Sequence, residues 1–293
     1  VVITPPNLGE PVNAQAVEAA RAYPDKFCIL GHFDLTAPNR EEIVANWRKR
    51  PGMLGFRFTF NQPQQKSWWT DGSLDWFWKA AEKQELVVGL LANGPCGDVN
   101  NNDYSGKTPA VKREPYEKIQ IVAGDLAAEV LRVRETLKHR DWVPLKAAVA
   151  DLELAVRRPT PEMIEWAKAV LAKPKGAAEV HRLEQPYAER VISARDAKPD
   201  TVSCVMQAFR IGDLGIAAIP FEVFTEIGLE IKAKSPFSDT FTIELANGSN
   251  GYLPTPPQHD LGGYETWLGT NRVEREASVK ITAKILELLG QVK

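Results

Sequence analysis

The residues best suited to chemistry stand late in the chain. Glu222 closes the run Ile219-Pro220-Phe221-Glu222, between a hydrophobic strand and a helix, where a carboxylate at a strand end faces a cleft and is able to hold a metal ion. The same glutamate also reads as a first-turn acid favoured by the helix dipole. The loop Asn247-Gly248-Ser249-Asn250-Gly251 delivers Tyr252 after another strand, and Tyr264 follows Gly262-Gly263. These loops are expected to share one cleft, although glycines there equally serve ordinary tight turns. Asn247-Gly248-Ser249 also matches a glycosylation sequon, with no secretory context to give it weight.

Histidine and cysteine add little by spacing. His32 follows a strand in Gly31-His32-Phe33-Asp34, His139 sits among Lys138, Arg140 and Asp141, and His181 precedes Arg182. There is no HxH and no HExxH, so His139 and His181 read as solvated helix residues and His32 as a loop histidine. His259, seven residues after Tyr252, alone falls in a candidate site loop. Cys28, Cys96 and Cys204 form no CxxC pair, and an odd number is a poor disulfide framework, so neither thiol chemistry nor a cysteine zinc finger is expected.

The elements that must position these groups read as α/β. In front, strands at 1–4, 26–30, 54–60 and 85–91 alternate with helices through Ala14, Val17 and Ala20, around 41–48, and over 73–83, which implies βαβ units and a parallel sheet. The turn-rich Asn93-Gly94-Pro95-Cys96-Gly97-Asp98 and the polar run Asn100 to Asp103 predict a projecting loop. A long helix follows, with Ile119, Val122, Leu126, Val130, Val133 and Leu137 on one face, expected to pack on a core. A second helix starts with Thr160 as N-cap and Pro161 at its first position, and is expected to bury Met163, Trp166 and Val170. Strands at 201–211 and 214–219 flank Gly212-Asp213 as a hairpin, and a helix through Phe224, Ile227 and Ile231 follows. A strand at 240–245 and a last helix through Ile281, Ile285 and Leu289 complete a mixed sheet flanked by helices.

Composition bounds the function classes. The chain has 293 residues, 44% hydrophobic and 25% charged, enough to bury the core of one large domain or two ordinary ones. With 36 basic against 38 acidic residues there is no global positive field, so nucleic acid is not an expected partner. No apolar run approaches the ~20 residues of a membrane-spanning helix. The opening Val-Val-Ile-Thr-Pro-Pro reads as the inside of a strand rather than a signal peptide, and predicts further chain upstream. Tryptophan clusters in front, with Trp47, Trp68, Trp69, Trp76 and Trp78 against Trp142, Trp166 and Trp267 later, which marks a composition shift and predicts segments 1–92 and 93–293.

Two resemblances follow from these motifs. Residues 93–293 resemble the neutral/alkaline ceramidase family, in Asn93-Gly94-Pro95-Cys96-Gly97-Asp98-Val99-Asn100, in Ile211-Gly212-Asp213 to Ile219-Pro220-Phe221-Glu222, and in Asn247-Gly248-Ser249-Asn250-Gly251-Tyr252 leading to Gly262-Gly263-Tyr264-Glu265. The resemblance implies Glu222 and Tyr252 as zinc ligands and Tyr264 as the tyrosine meeting the reacting amide or its oxyanion. It also places Asp98 and Asn100 at catalytic positions, Asn100 standing where the well-studied ceramidases have a serine. The family's two zinc-binding histidines precede the first motif and are not recognisable here. Residues 1–91 resemble the middle of a metal-dependent amidohydrolase of the pyrone-dicarboxylate lactonase type, in Ala19 to Phe27, Arg50 to Thr59 and Trp69 to Trp76. That family is a TIM-like barrel, and its HxH pair and later histidine and aspartate are not recognisable either. Together the two resemblances imply a chimera joined near 87–93.

The expected function is a zinc-dependent hydrolase of linear amide bonds acting on an N-acyl sphingoid or related lipid. Its Zn2+ would be held by Glu222, Tyr252 and His259, with His32 the other source of a third donor, since a catalytic zinc usually has three protein ligands. The alternatives are a lactonase- or decarboxylase-type barrel fragment, and a non-catalytic α/β remnant or half-site completed by another chain.

Overall fold

The computed structural model describes residues 2–3, 10–25, 27–58, 65, 67–68, 71–84, 92–100, 102, 106–107, 111–138, 140–174 and 181–293. They belong to two compact units, Val1–Leu91 and Ala92–Lys293. Both are α/β.

In the first unit, β1 (Val2–Ile3), β2 (Ile29–Gly31) and β3 (Met53–Phe56) pair in parallel in that order, with α1 (Glu10–Ala22), α2 (Arg40–Ala45) and α3 (Asp75–Lys83) between and after them. This is the βαβ pattern expected of strands buried on both faces. The aromatic-rich composition supplies the core. Trp47 is fully buried and donates its indole N–H to the Gly55 carbonyl at 3.0 Å, Phe33 and Phe56 meet it and each other edge-on or tilted, and Phe77 meets Phe56 edge-on. The expected strand at 85–91, Trp69, His139 and the end of the 54–60 strand lie outside the described residues, as does most of the expected junction at 87–93.

The second unit is built on a four-stranded sheet of order β4 (Leu145–Ala155), β5 (Thr201–Ile211), β6 (Leu214–Ala218), β8 (Asp239–Ile243), the first two pairings antiparallel and the last parallel. Gly212 takes φ 62° in the two-residue turn joining β5 to β6, the positive value that a primed hairpin turn demands. Ala148, Ala150, Leu152, Cys204, Met206, Ala208 and Ala217 fall on one face, where α9 (Ala277–Val292) lays Ile281, Ile285, Leu288 and Leu289 against them. Burying each such aliphatic side chain contributes about 1.5–3 kcal/mol. α7 (Thr225–Lys234) adds Ile227 and Ile231 to this core. α5 (Pro161–Leu171) and α6 (Glu184–Arg195) pack on each other through Ala167, Val170, Ala188 and Val191.

Two expectations are corrected. α4 (Glu117–Arg134) forms, but it buries no residue: Ile119, Val122, Leu126 and Val130 are all more than half exposed. The stripe is regular, and no apolar surface among the described residues is apposed to it. Trp166 is likewise 43% exposed although Val170 beside it is buried and Thr160 caps the helix by accepting from the Met163 N–H at 3.3 Å. β4 and α6 escape the sequence reading, β4 because two of its inward side chains are the small Ala148 and Ala150.

Candidate active site

A two-stranded parallel ladder builds the site. β6 leaves the sheet through the fully buried Ile219 and Phe221, so the chain emerges at β7 (Glu222–Val223) in a fixed direction. β7 pairs with β9 (Tyr252–Leu253) so that Glu222 stands opposite Tyr252 and Val223 opposite Leu253. Glu222 therefore lies in a strand and not in a first helical turn; the acid in the first turn of α7 is Glu226.

The loop before Tyr252 is held from two sides. The Asn250 N–H donates to the Pro220 carbonyl at 2.9 Å, and the Tyr252 N–H to the Thr270 carbonyl at 3.1 Å. Gly251 has φ 85°, and a Cβ there would lie 2.3 Å from the Thr270 oxygen, so only glycine allows this approach. The Asn271 side-chain amide donates to the Tyr252 carbonyl at 3.1 Å, while its oxygen accepts from Arg157.

This framework brings three of the sequence-identified residues together. The Tyr252 and Tyr264 hydroxyls are 3.0 Å apart, with their rings edge-on at 5.6 Å, and the Glu222 carboxylate lies close enough to act on the Tyr252 phenol. Burial above all, then the bond to Tyr264 and the nearby carboxylate of Glu222, push the Tyr252 phenol far above its ordinary value. It is a persistent proton donor. Tyr264 sits half-exposed in a short 3-10 turn, Tyr264–Thr266, after Gly262 and Gly263, both at positive φ.

The first motif lies against the back of the ladder. The Gly97 N–H donates to the Val223 carbonyl at 2.9 Å, and a Cβ on Gly97 would come within 2.6 Å of the Glu222 carbonyl oxygen. Glu244, buried to 2% exposure, organises this region: one carboxylate oxygen accepts from the Cys96 and Val223 N–H groups at 3.0 Å each, and the other from the Cys96 thiol. The sequence reading missed it. The signal was there, because Glu244 shares the inward alternation of Thr240 and Thr242 along β8, and a carboxylate on a core-facing position requires partners. Burial, the bond to Glu244 and the negative charges of Glu244, Glu222 and Asp98 push the Cys96 thiol up to about 11.

Asp98 and Asn100 have structural partners. Asp98 accepts from both the N–H and the hydroxyl of Thr225 at 2.8 Å, satisfying an orphan donor at the start of α7. Asn100 is exposed, and its side-chain oxygen accepts from the Asn102 N–H at 2.9 Å.

His259 has no hydrogen bond to Glu222 or Tyr252. It lies in α8 (Pro256–Leu261) with Nε2 buried and without a hydrogen-bond partner, and the charged groups acting on it are Arg157, Arg275 and Asp260. His32 belongs to the first unit, where Asn13 brackets its backbone at 2.6 and 3.3 Å. Among the described residues no group of three or more histidine, cysteine, aspartate or glutamate side chains is placed to hold a metal ion. Glu222 and Tyr252 offer two oxygens, Glu244 and Asp98 are committed to backbone donors, and the Cys96 thiol keeps its proton. A catalytic zinc usually has three protein ligands, so Glu222 and Tyr252 alone would leave one to be supplied. No described helix is long and apolar enough to cross a membrane.

No protein-family model and no curated protein matches the chain. Among solved structures it is similar to neutral ceramidase from Pseudomonas aeruginosa, at 16% identity and a TM-score of 0.46 over 76% of this chain and 39% of that one. It is also similar to a structure described as ceramidase complexed with C2, at 17% identity and a TM-score of 0.29 over 46% of this chain and 20% of that one. The chain thus spans well under half of either protein, and these comparisons lend no support to the lactonase-type resemblance of residues 1–91.

Proposed function

We propose that residues 92–293 carry the carboxylate–tyrosine part of a hydrolytic site for linear amides of the ceramidase type, acting on an N-acyl lipid. The observation that supports this reading is the meeting of Glu222, Tyr252 and Tyr264, brought from separate segments with the two hydroxyls 3.0 Å apart. Glu222, opposite Tyr252 on the ladder, is a carboxylate able to accept a proton from water. Of the two paired phenols, one donates to the other, which leaves a phenolic proton free for a carbonyl oxygen as it gains negative charge. Donors placed where charge develops are worth about 10²–10³ in rate each. A divalent cation, where bound, would be held by Glu222 and Tyr252 and would polarise the substrate carbonyl or a water.

The test is hydrolysis of an N-acyl long-chain amine by the full chain, with zinc per chain measured after dialysis. Tyr264→Phe and Glu222→Gln are each expected to lower turnover by about 10²–10³ with the fold retained. A wild-type chain that releases no amine, with or without added zinc, overturns the proposal, and so does turnover indifferent to both substitutions.

A further inference from the structure

Tyr252 and Tyr264 arrive on separate segments, so the 3.0 Å between their hydroxyls depends on how two stretches of backbone are held against each other. Each stretch offers one point of attachment. The buried Asn271 side chain donates to the Tyr252 carbonyl at 3.1 Å, and Thr266 ends the 3-10 turn that carries Tyr264. A single guanidinium nitrogen joins the two: Arg157 Nη1 donates to the Thr266 carbonyl and, at 3.1 Å, to the Asn271 side-chain oxygen. An Nη nitrogen carries two N–H groups, one for each acceptor.

The brace starts from firm backbone. Just past β4, Val156 bridges Val273 in antiparallel and the Arg157 N–H donates to the Arg272 carbonyl at 2.9 Å. The Arg157 side chain is half-buried, burial works against its charge, and among the described residues it forms no ion pair. Its charge is thus spent on directed bonds to the two attachment points rather than on a carboxylate. Donation by Arg157 also sets which way the Asn271 amide faces: with its oxygen toward the guanidinium, its NH2 is the end that meets Tyr252.

We infer that Arg157, acting through Asn271 and the Thr266 carbonyl, holds the two phenols at bonding distance. It hydrogen-bonds neither hydroxyl, so it is a positioning residue. Only the kinetic consequence of this inference rests on the hydrolase reading.

The experiment labels the six tyrosines of the full chain with carbon-13 at Cζ and follows Tyr252 and Tyr264 by NMR at fixed pH, with Tyr252→Phe and Tyr264→Phe supplying the assignments. In the otherwise wild-type chain, Tyr264→Phe is expected to move the Tyr252 signal, because it removes that phenol's partner. Asn271→Asp keeps an acceptor for Arg157 and adds a counter-charge, but it no longer donates to Tyr252. It is expected to leave circular dichroism unchanged, to move the Tyr252 signal, and to make that signal indifferent to Tyr264→Phe. On an N-acyl amine, kcat is expected to fall by about 10²-fold with KM held within about threefold, the mark of misplaced groups rather than lost binding.

A Tyr252 signal indifferent to Tyr264→Phe in the wild type, the same response persisting in Asn271→Asp, or an unchanged kcat in that variant overturns the inference. A wild-type chain without turnover defeats the hydrolase reading alone, and the NMR signals then decide this inference by themselves. Should Asn271→Asp unfold the chain, Arg157→Met, which keeps the stem and removes both donors, is read by the same signals; a Tyr252 signal that still responds to Tyr264→Phe there overturns the inference.

Discussion

α9 lays Ile281, Ile285 and Leu289 into the sheet with no exposure above 1%, whereas α4, with an equally regular apolar stripe, leaves Ile119, Leu126 and Val130 more than half exposed. Periodicity specifies which side of a helix is apolar, and both helices obey it. Burial needs a second surface, and α9 finds one in the small and aliphatic side chains of β4, β5 and β6. The sheet repeats the contrast. Its α9 face is closed, while Leu145, Val149, Ile211 and Phe241 on the opposite face stay between 39% and 69% exposed. The contrast breaks or holds on stability. Ile285→Ala is expected to cost about 2–5 kcal/mol in urea unfolding, and Leu126→Ala less than about 0.5. A cost above about 2 kcal/mol for Leu126→Ala would mean that α4 is packed in solution.

The next largest effect separates the two acids of the site. Glu244 is buried and accepts two backbone N–H groups, while Glu222 stands half-buried at the ladder end. Glu244→Ala orphans both donors and is expected to cost about 2–4 kcal/mol, against less than about 1 for Glu222→Ala. A similar cost for both would erase the distinction between the residue that organises the motif and the residue it presents.

That distinction also marks where sequence reading stops. The hairpin around Gly212-Asp213, the parallel front strands, the Thr160 cap and the α7 and α9 core faces were legible, because each is encoded by local spacing or turn chemistry. The strand character of Glu222 was not: dipole logic fits any acid just before a helix, and only pairing with β9 decides the matter. The partners of Asp98 lie 127 residues away in sequence, and those of Glu244 come from two distant segments, so no local pattern announces them. His259 was placed in the site by proximity along the chain to Tyr252, and what the sequence did not announce is the short helix α8 that carries it and the charges of Arg157, Arg275 and Asp260 that act on it.

His259 supplies the smallest test of covered against uncovered surface. Burial first, then the positive charges of Arg157 and Arg275, push its imidazole down from the usual 6.5 to about 4. Between those two values the unfolded chain holds a proton on this histidine that the folded chain does not. Stability therefore rises with pH across that window, which means that this contribution is present above pH 6.5 and is lost as pH falls toward 4. Urea unfolding at several pH values should show that slope, and His259→Gln, which keeps a polar side chain but cannot titrate, should flatten it. An identical slope in the variant would show that α8 leaves the imidazole open to water, and would move His259 from the covered side of the comparison to the uncovered one.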